Sequence, residues 1–138
     1  MEQLNIDIKQ IIDRVYPLIS KDYKSNSTVE IHRNIYERLD GFSVEEVDEY
    51  DGDFVSYAEY LWDSNKIVLY TDSINSEEDV IRSLIHECVH SNQDYDIYEA
   101  YYDQCEVDYD THPYEIEAEY EEENWIKYKI IWIKETIK

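Results

Sequence analysis

Between Ser76 and Asn92 the chain sets His86, Glu87 and His90 among Val80, Ile81, Leu84, Ile85, Cys88 and Val89. The apolar residues recur at helical spacing. Ser76-Glu77-Glu78-Asp79 resembles a capping box with Asp in the place of Glu, so a helix is predicted from about Glu77 to Asn92. A helix this apolar has to be buried, and it takes the three polar groups in with it. Desolvating two imidazoles and a carboxyl without partners is costly. Whatever fold forms must therefore bring something to this helix that satisfies them. Positions i and i+4 share one helix face, so His86 and His90 can grip one metal ion, with Glu87 beside them.

His-Glu-Cys-Val-His at 86–90 is the pattern HExxH, in which two histidines bind zinc and the glutamate acts on a bound water. A catalytic zinc takes a third protein ligand and keeps one position open. Downstream, Glu115-Ile116-Glu117-Ala118 supplies Glu-x-x-Ala. HExxH followed by Glu-x-x-Ala on a second helix resembles the gluzincin branch of the zincin-type zinc metallopeptidases, a layout shared by small ImmA/IrrE-like intracellular peptidases. The resemblance spans roughly residues 66 to 125 and is carried by five or six positions. It departs at Asn92, where an apolar residue is usual, and after Ala118, where Glu119-Tyr120-Glu121-Glu122 replaces the usual Asn or Asp with a Phe-Ala pair. What it implies is a Zn2+ cofactor held by His86, His90 and Glu115, with Glu87 as general base and peptide-bond hydrolysis as the activity. Other third ligands stay open in the order Glu119, then Asp96 and His112, with Glu117 a near miss.

At 138 residues the chain is expected to form a single domain, 1–138, with a real core. Its hydrophobic content of 43%, with 15 tyrosines and three tryptophans, is too high for a disordered acidic tail. Cys88 lies inside the pentad and Cys105 stands alone, which argues against a disulfide framework and for a reducing, cytoplasmic setting. No signal-like start or membrane-length apolar run is visible. The net charge of −22 argues against direct nucleic-acid binding. It favours a protein or peptide substrate that is itself basic. It also admits a different class of function, an acidic interaction protein (a DNA mimic, or an inhibitor or regulator) whose metal site is structural, degenerate or absent. Oligomeric state is not legible.

The expected architecture is α+β, a minimal zincin-like fold: a small, mainly antiparallel sheet packed with the HExxH helix and a long C-terminal helix. Leu4, Ile8, Ile11, Ile12, Val15 and Ile19 predict an amphipathic first helix ending near Pro17 or a little later. Residues 27 to 39 read as helix or strand. Asp63-Ser64-Asn65 is a turn signal joining Phe54–Trp62 to Lys66–Tyr70 as a hairpin, and Ile67 to Tyr70 is the candidate edge strand for an extended peptide. From Pro113 one long helix is predicted, six glutamates falling between 115 and 123 and Lys127, Lys129, Lys134 and Lys138 toward its other end, as the helix dipole favours. Ile126, Ile130, Ile133 and Ile137 are read as its core stripe. Tyr95, Tyr98, Tyr101, Tyr102, Tyr109, Tyr114 and His112 are the candidates for an oxyanion-stabilising group.

Overall fold

A computed structural model describes residues 7–34 and 57–136. Expectations placed on Leu4, residues 35–39, Phe54, Ile137 and Lys138 lie outside the described residues. The described elements are α1 (Ile8–Asp22), β1 (Thr28–His32), β2 (Ala58–Leu61), β3 (Lys66–Tyr70), α2 (Glu77–Ser91), α3 (Tyr95–Cys105), α4 (Pro113–Glu122) and α5 (Trp125–Thr136), with single 3-10 turns at Thr71–Ser73 and Tyr109–Thr111. The class is α+β, as the sequence predicts.

Helix α1 begins where the Asp7 side chain accepts a bond from the Gln10 amide at 3.0 Å, and it buries Ile11, Val15 and Ile19. Pro17 falls on its exposed side and the helix continues to Asp22. The undecided segment after it is a strand over Thr28–His32. The sheet order is β1-β3-β2, with β1 parallel and β2 antiparallel to β3. The sheet is therefore mixed rather than mainly antiparallel. Asn65 explains how β1 is held. It sits in the left-handed region at φ 55, its Oδ1 accepts from Ser27 Oγ and Tyr60 OH, both at 2.7 Å, and its Nδ2 donates to Asn26 Oδ1 at 2.8 Å. The hairpin turn thus fastens the start of β1 as well as its own two strands.

Strand β3 is the centre of the sheet, not its edge, which corrects the expectation for Ile67 to Tyr70. All four of these residues are buried. A strand covered on both faces reads as an unbroken apolar run, and Ile-Val-Leu-Tyr is one. Among the described strands, β1 and β2 are the outer two.

Helix α2 is the hub of the core and is in contact with α1, β2, β3, α4 and α5. Ser76 Oγ accepts from the Asp79 amide at 3.1 Å, while Asp79 Oδ2 accepts from the Asn75 amide at 2.8 Å, so the box closes one residue early. The long C-terminal helix is present from Pro113 to Thr136, with a turn at Glu123-Asn124 dividing it into α4 and α5. Tyr23 OH donates to Glu121 Oε1 and Asn124 Nδ2 donates to Tyr23 OH, which ties this turn to the end of α1.

The isoleucine stripe of α5 is not core. Ile126, Ile130 and Ile133 are 53%, 47% and 41% exposed, whereas Tyr128 and Trp132 are 1% and 5% exposed. The helix turns its aromatic strip inward because the rings bury more apolar area and because their polar atoms find partners. Tyr128 OH donates to Asp22 Oδ2 at 2.6 Å and Trp132 Nε1 to Glu77 Oε2 at 3.1 Å.

Candidate metal centre

One turn of α2 separates His86 from His90, and their rings lie 4.9 Å apart. Helix α4 lies against this face of α2. Its two buried residues are Glu115 and Ala118, and the methyl side chain of Ala118, fully buried, lets the helices approach closely enough for Glu115 to reach both imidazoles. Glu115 Oε1 stands 2.9 Å from His86 Nε2 and 3.2 Å from His90 Nε2. Potential ligand atoms of the three residues lie within 4.8 Å of one another, and all three residues are buried. A single metal ion can be held here, and among the described residues this is the one such group of three or more His, Cys, Asp or Glu.

Outer contacts determine which atoms point inward. His86 Nδ1 donates to Glu122 Oε2 at 2.6 Å, two helical turns beyond Glu115 on the same face of α4. Glu122 in turn meets Arg82, whose Nη1 lies 3.5 Å from Oε1. His90 Nδ1 donates to Gln93 Oε1 at 2.7 Å. The Gln93 amide is oriented by its own donors, which go to the Tyr114 carbonyl at 3.2 Å and Glu117 Oε1 at 2.8 Å. With both Nδ1 atoms occupied, both Nε2 atoms face Glu115. Such outer partners fix the ring orientation of metal-binding histidines and raise their basicity. Tyr98 OH donates to Glu115 Oε2, so Oε1 is the oxygen left for the imidazoles.

These groups form a charge cluster. Burial disfavours the charged form of His86, but its bonds to Glu115 and Glu122 outweigh that and push it up to about 10. Burial likewise opposes charge on His90, and Glu115 overrides it in the same direction. Burial would raise the carboxyl of Glu115, yet the two imidazoles and Tyr98 hold it well below the usual range. Glu87 behaves differently. It is 6% exposed, burial pushes its carboxyl up, and it forms no hydrogen bond with a described residue.

Glu87 opens onto a cleft of about 1080 Å³ between β2 and the starts of α3 and α4, lined in part by Tyr60, Trp62, His86, His90, Tyr98 and Glu115. A second cleft of about 420 Å³ shares Tyr57, Ala58, His86, Glu87 and Tyr109 with it and continues past Arg82 to Glu119 and Glu123. The strand beside the chemistry is β2, because β3 is enclosed.

The sequence candidates separate cleanly. His86, Glu87, His90 and Glu115 come together. Glu119 is exposed and stays in the second cleft, and Asp96 is exposed in the first turn of α3 outside both. Glu117 is engaged by Gln93. His112 takes the structural task its place before Pro113 suggests. Its Nδ1 accepts from the Tyr114 amide at 3.1 Å and its Nε2 donates to the Tyr98 carbonyl at 2.9 Å. Its ring lies 4.2 Å from that of Tyr98, which seats α3 against the start of α4. Of the tyrosines, Tyr98 holds Glu115 and Tyr109 stands between the two clefts, whereas Tyr101, Tyr102 and Tyr114 gather around His112. Glu122, Gln93, Arg82 and Trp62 have no role in the sequence reading. For Glu122 the usable signal was its spacing of seven from Glu115, for Gln93 its spacing of three from His90.

No protein-family model, curated protein or solved structure matches the chain. The site therefore stands on its own geometry, an α+β fold with a buried His-His-Glu cluster at its helical hub. No helix among the described residues is long and apolar enough to cross a membrane.

Proposed function

We propose that the chain is a zinc-dependent metallopeptidase, with His86, His90 and Glu115 as the ligands and Glu87 as the general base. The observation that carries the reading is the division of labour at the histidines, with each Nδ1 committed to an outer acceptor and each Nε2 turned to one carboxylate oxygen. Two imidazole nitrogens and a carboxylate oxygen are a donor set suited to zinc, and three protein ligands leave room for a fourth. Zinc bound there would supply an acidified water and a Lewis-acidic charge beside a scissile carbonyl.

The chain's own residues supply the rest. Glu87 accepts a proton at its carboxylate and delivers it to the leaving amine. Its burial favours a carboxyl whose affinity for that proton is above the ordinary, which suits a group that must both take and return it. Tyr98 and Glu122 hold Glu115 and His86 in place. Strand β2, Ala58–Leu61, borders the cleft beside the three inward groups.

The test is hydrolysis of a mixed peptide pool by zinc-loaded protein, compared with Glu87→Gln. The expected result is chelator-sensitive cleavage that zinc restores, with a loss of about 10²–10⁴-fold in Glu87→Gln and an unchanged zinc content. Equal rates in the two proteins would overturn the mechanism. Zinc-free protein that instead binds a basic partner, with His86→Ala making no difference, would favour the acidic interaction protein.

A further inference from the structure

The larger cleft takes in the β2–β3 turn and the first turns of α3, and the chemistry at that end differs from the chemistry at the metal centre. Trp62 stands there with its ring 5.4 Å from Tyr95 and 5.5 Å from Tyr98. Tyr95 is 47% exposed. Asp63 and Glu99 line the same end. Tyr95, Asp63 and Glu99 line the cleft together, and Glu99 most strongly, with burial and Asp63 after it, resists ionisation of the Tyr95 hydroxyl. No Lys or Arg is among the described lining residues. Glu87, more than nine-tenths buried and without a hydrogen bond to a described residue, opens into the same space.

Aromatic faces and carboxylates without a resident cation exclude most occupants. An acidic side chain would be repelled. An aliphatic one would cover Asp63 and Glu99 and leave them without a counter-charge. A basic side chain satisfies both parts, its methylene stem lying along the rings and its charged head meeting ring face and carboxylate. The net charge of −22 adds long-range attraction for such a ligand. We infer that the Trp62, Tyr95, Asp63 and Glu99 end of the cleft receives a Lys or Arg side chain of the substrate peptide. As a statement about substrate this rests on the peptidase reading, but its binding test does not.

Dye-labelled tetra-arginine peptide and its uncharged citrulline counterpart are the probes, read by fluorescence anisotropy at physiological salt on protein supplied with zinc. The arginine peptide should bind about tenfold or more tightly than citrulline. Asp63→Asn with Glu99→Gln should weaken it about fivefold, and Tyr95→Leu about threefold with Tyr95→Phe unaffected. Asp13→Asn with Asp103→Asn removes the same charge from exposed positions outside both clefts and should change affinity less than about twofold. Circular dichroism melts confirm that each variant is folded. Equal binding of the citrulline peptide, or equal weakening by the two charge-neutralising pairs, would overturn the inference. Selective arginine binding without hydrolysis of any peptide would keep the subsite and sink the peptidase reading. Hydrolysis indifferent to arginine would do the reverse.

Discussion

Helices α4 and α5 lie in one C-terminal helical arm, yet they choose their buried faces by different rules. In α4 the inward face is polar, with Glu115 and Glu122 turned to His86 across the small side chain of Ala118. In α5 the inward face is aromatic, and the more regular isoleucine row is left at the surface. Apolar spacing alone describes neither. What both share is that each buried side chain with a polar atom finds a specific acceptor or donor, Glu77 and Asp22 for α5, the imidazoles for α4. Burial here follows satisfiable polar groups on large or functional side chains, and the aliphatic stripe yields to it.

The largest effect expected from this contrast is on stability. Trp132→Ala should cost about 3–5 kcal/mol in chemical denaturation, as aromatic deletions in cores do. A loss below about 1 kcal/mol would mean that α5 is not seated by its aromatic face.

Next comes the polar face of α4. Glu122→Gln keeps the shape but removes the charge that holds His86 Nδ1, and zinc affinity should fall about 10–100-fold. Competition with a chromogenic chelator reads this directly, and an unchanged affinity would make Glu122 a bystander.

A smaller effect links α5 to the start of α2 through pH. Burial disfavours the charged form of Glu77, but Lys129 and Trp132 of α5 more than offset it and hold its carboxyl below the ordinary value. A depressed carboxylate contributes stability that is present above the unfolded pKa of ~4.5 and is lost as pH falls through the folded value. Glu77→Gln should therefore cost about 1–2 kcal/mol at pH 7 and progressively less in melts taken toward pH 3. A cost independent of pH would contradict this. The smallest effect belongs to the exposed row, where Ile130→Ala should stay within about 0.5 kcal/mol of the parent.

The sequence exposed α2 well, since a capped apolar helix carrying His86, Glu87 and His90 has few interpretations and Ser76 caps it as expected. Glu115 was legible through Ala118, because a glutamate that must meet another helix needs a small neighbour one turn on. The hairpin was legible from Asp63-Ser64-Asn65. The parallel pairing of β1 was not, because it depends on Asn65 reaching Ser27 across 38 residues. Helix α3 was hidden in a Tyr- and Asp-rich stretch that buries no residue completely, so no apolar period announces it. Gln93 carries no assignment from sequence, yet its amide orients His90. Partners of this kind become visible once the helices are in place, for their spacing within one helix does not encode what lies across from it.

The central claim is that the three inward groups of α2 and α4 hold one metal ion. Its most direct test is the zinc content of untagged protein by elemental mass spectrometry, alongside His86→Ala and Glu115→Ala. The account predicts close to one zinc per chain in the parent and a loss or sharp weakening in both variants. Parent protein that takes up no zinc even on reconstitution, or Glu115→Ala that retains it at full affinity, would contradict the site as described.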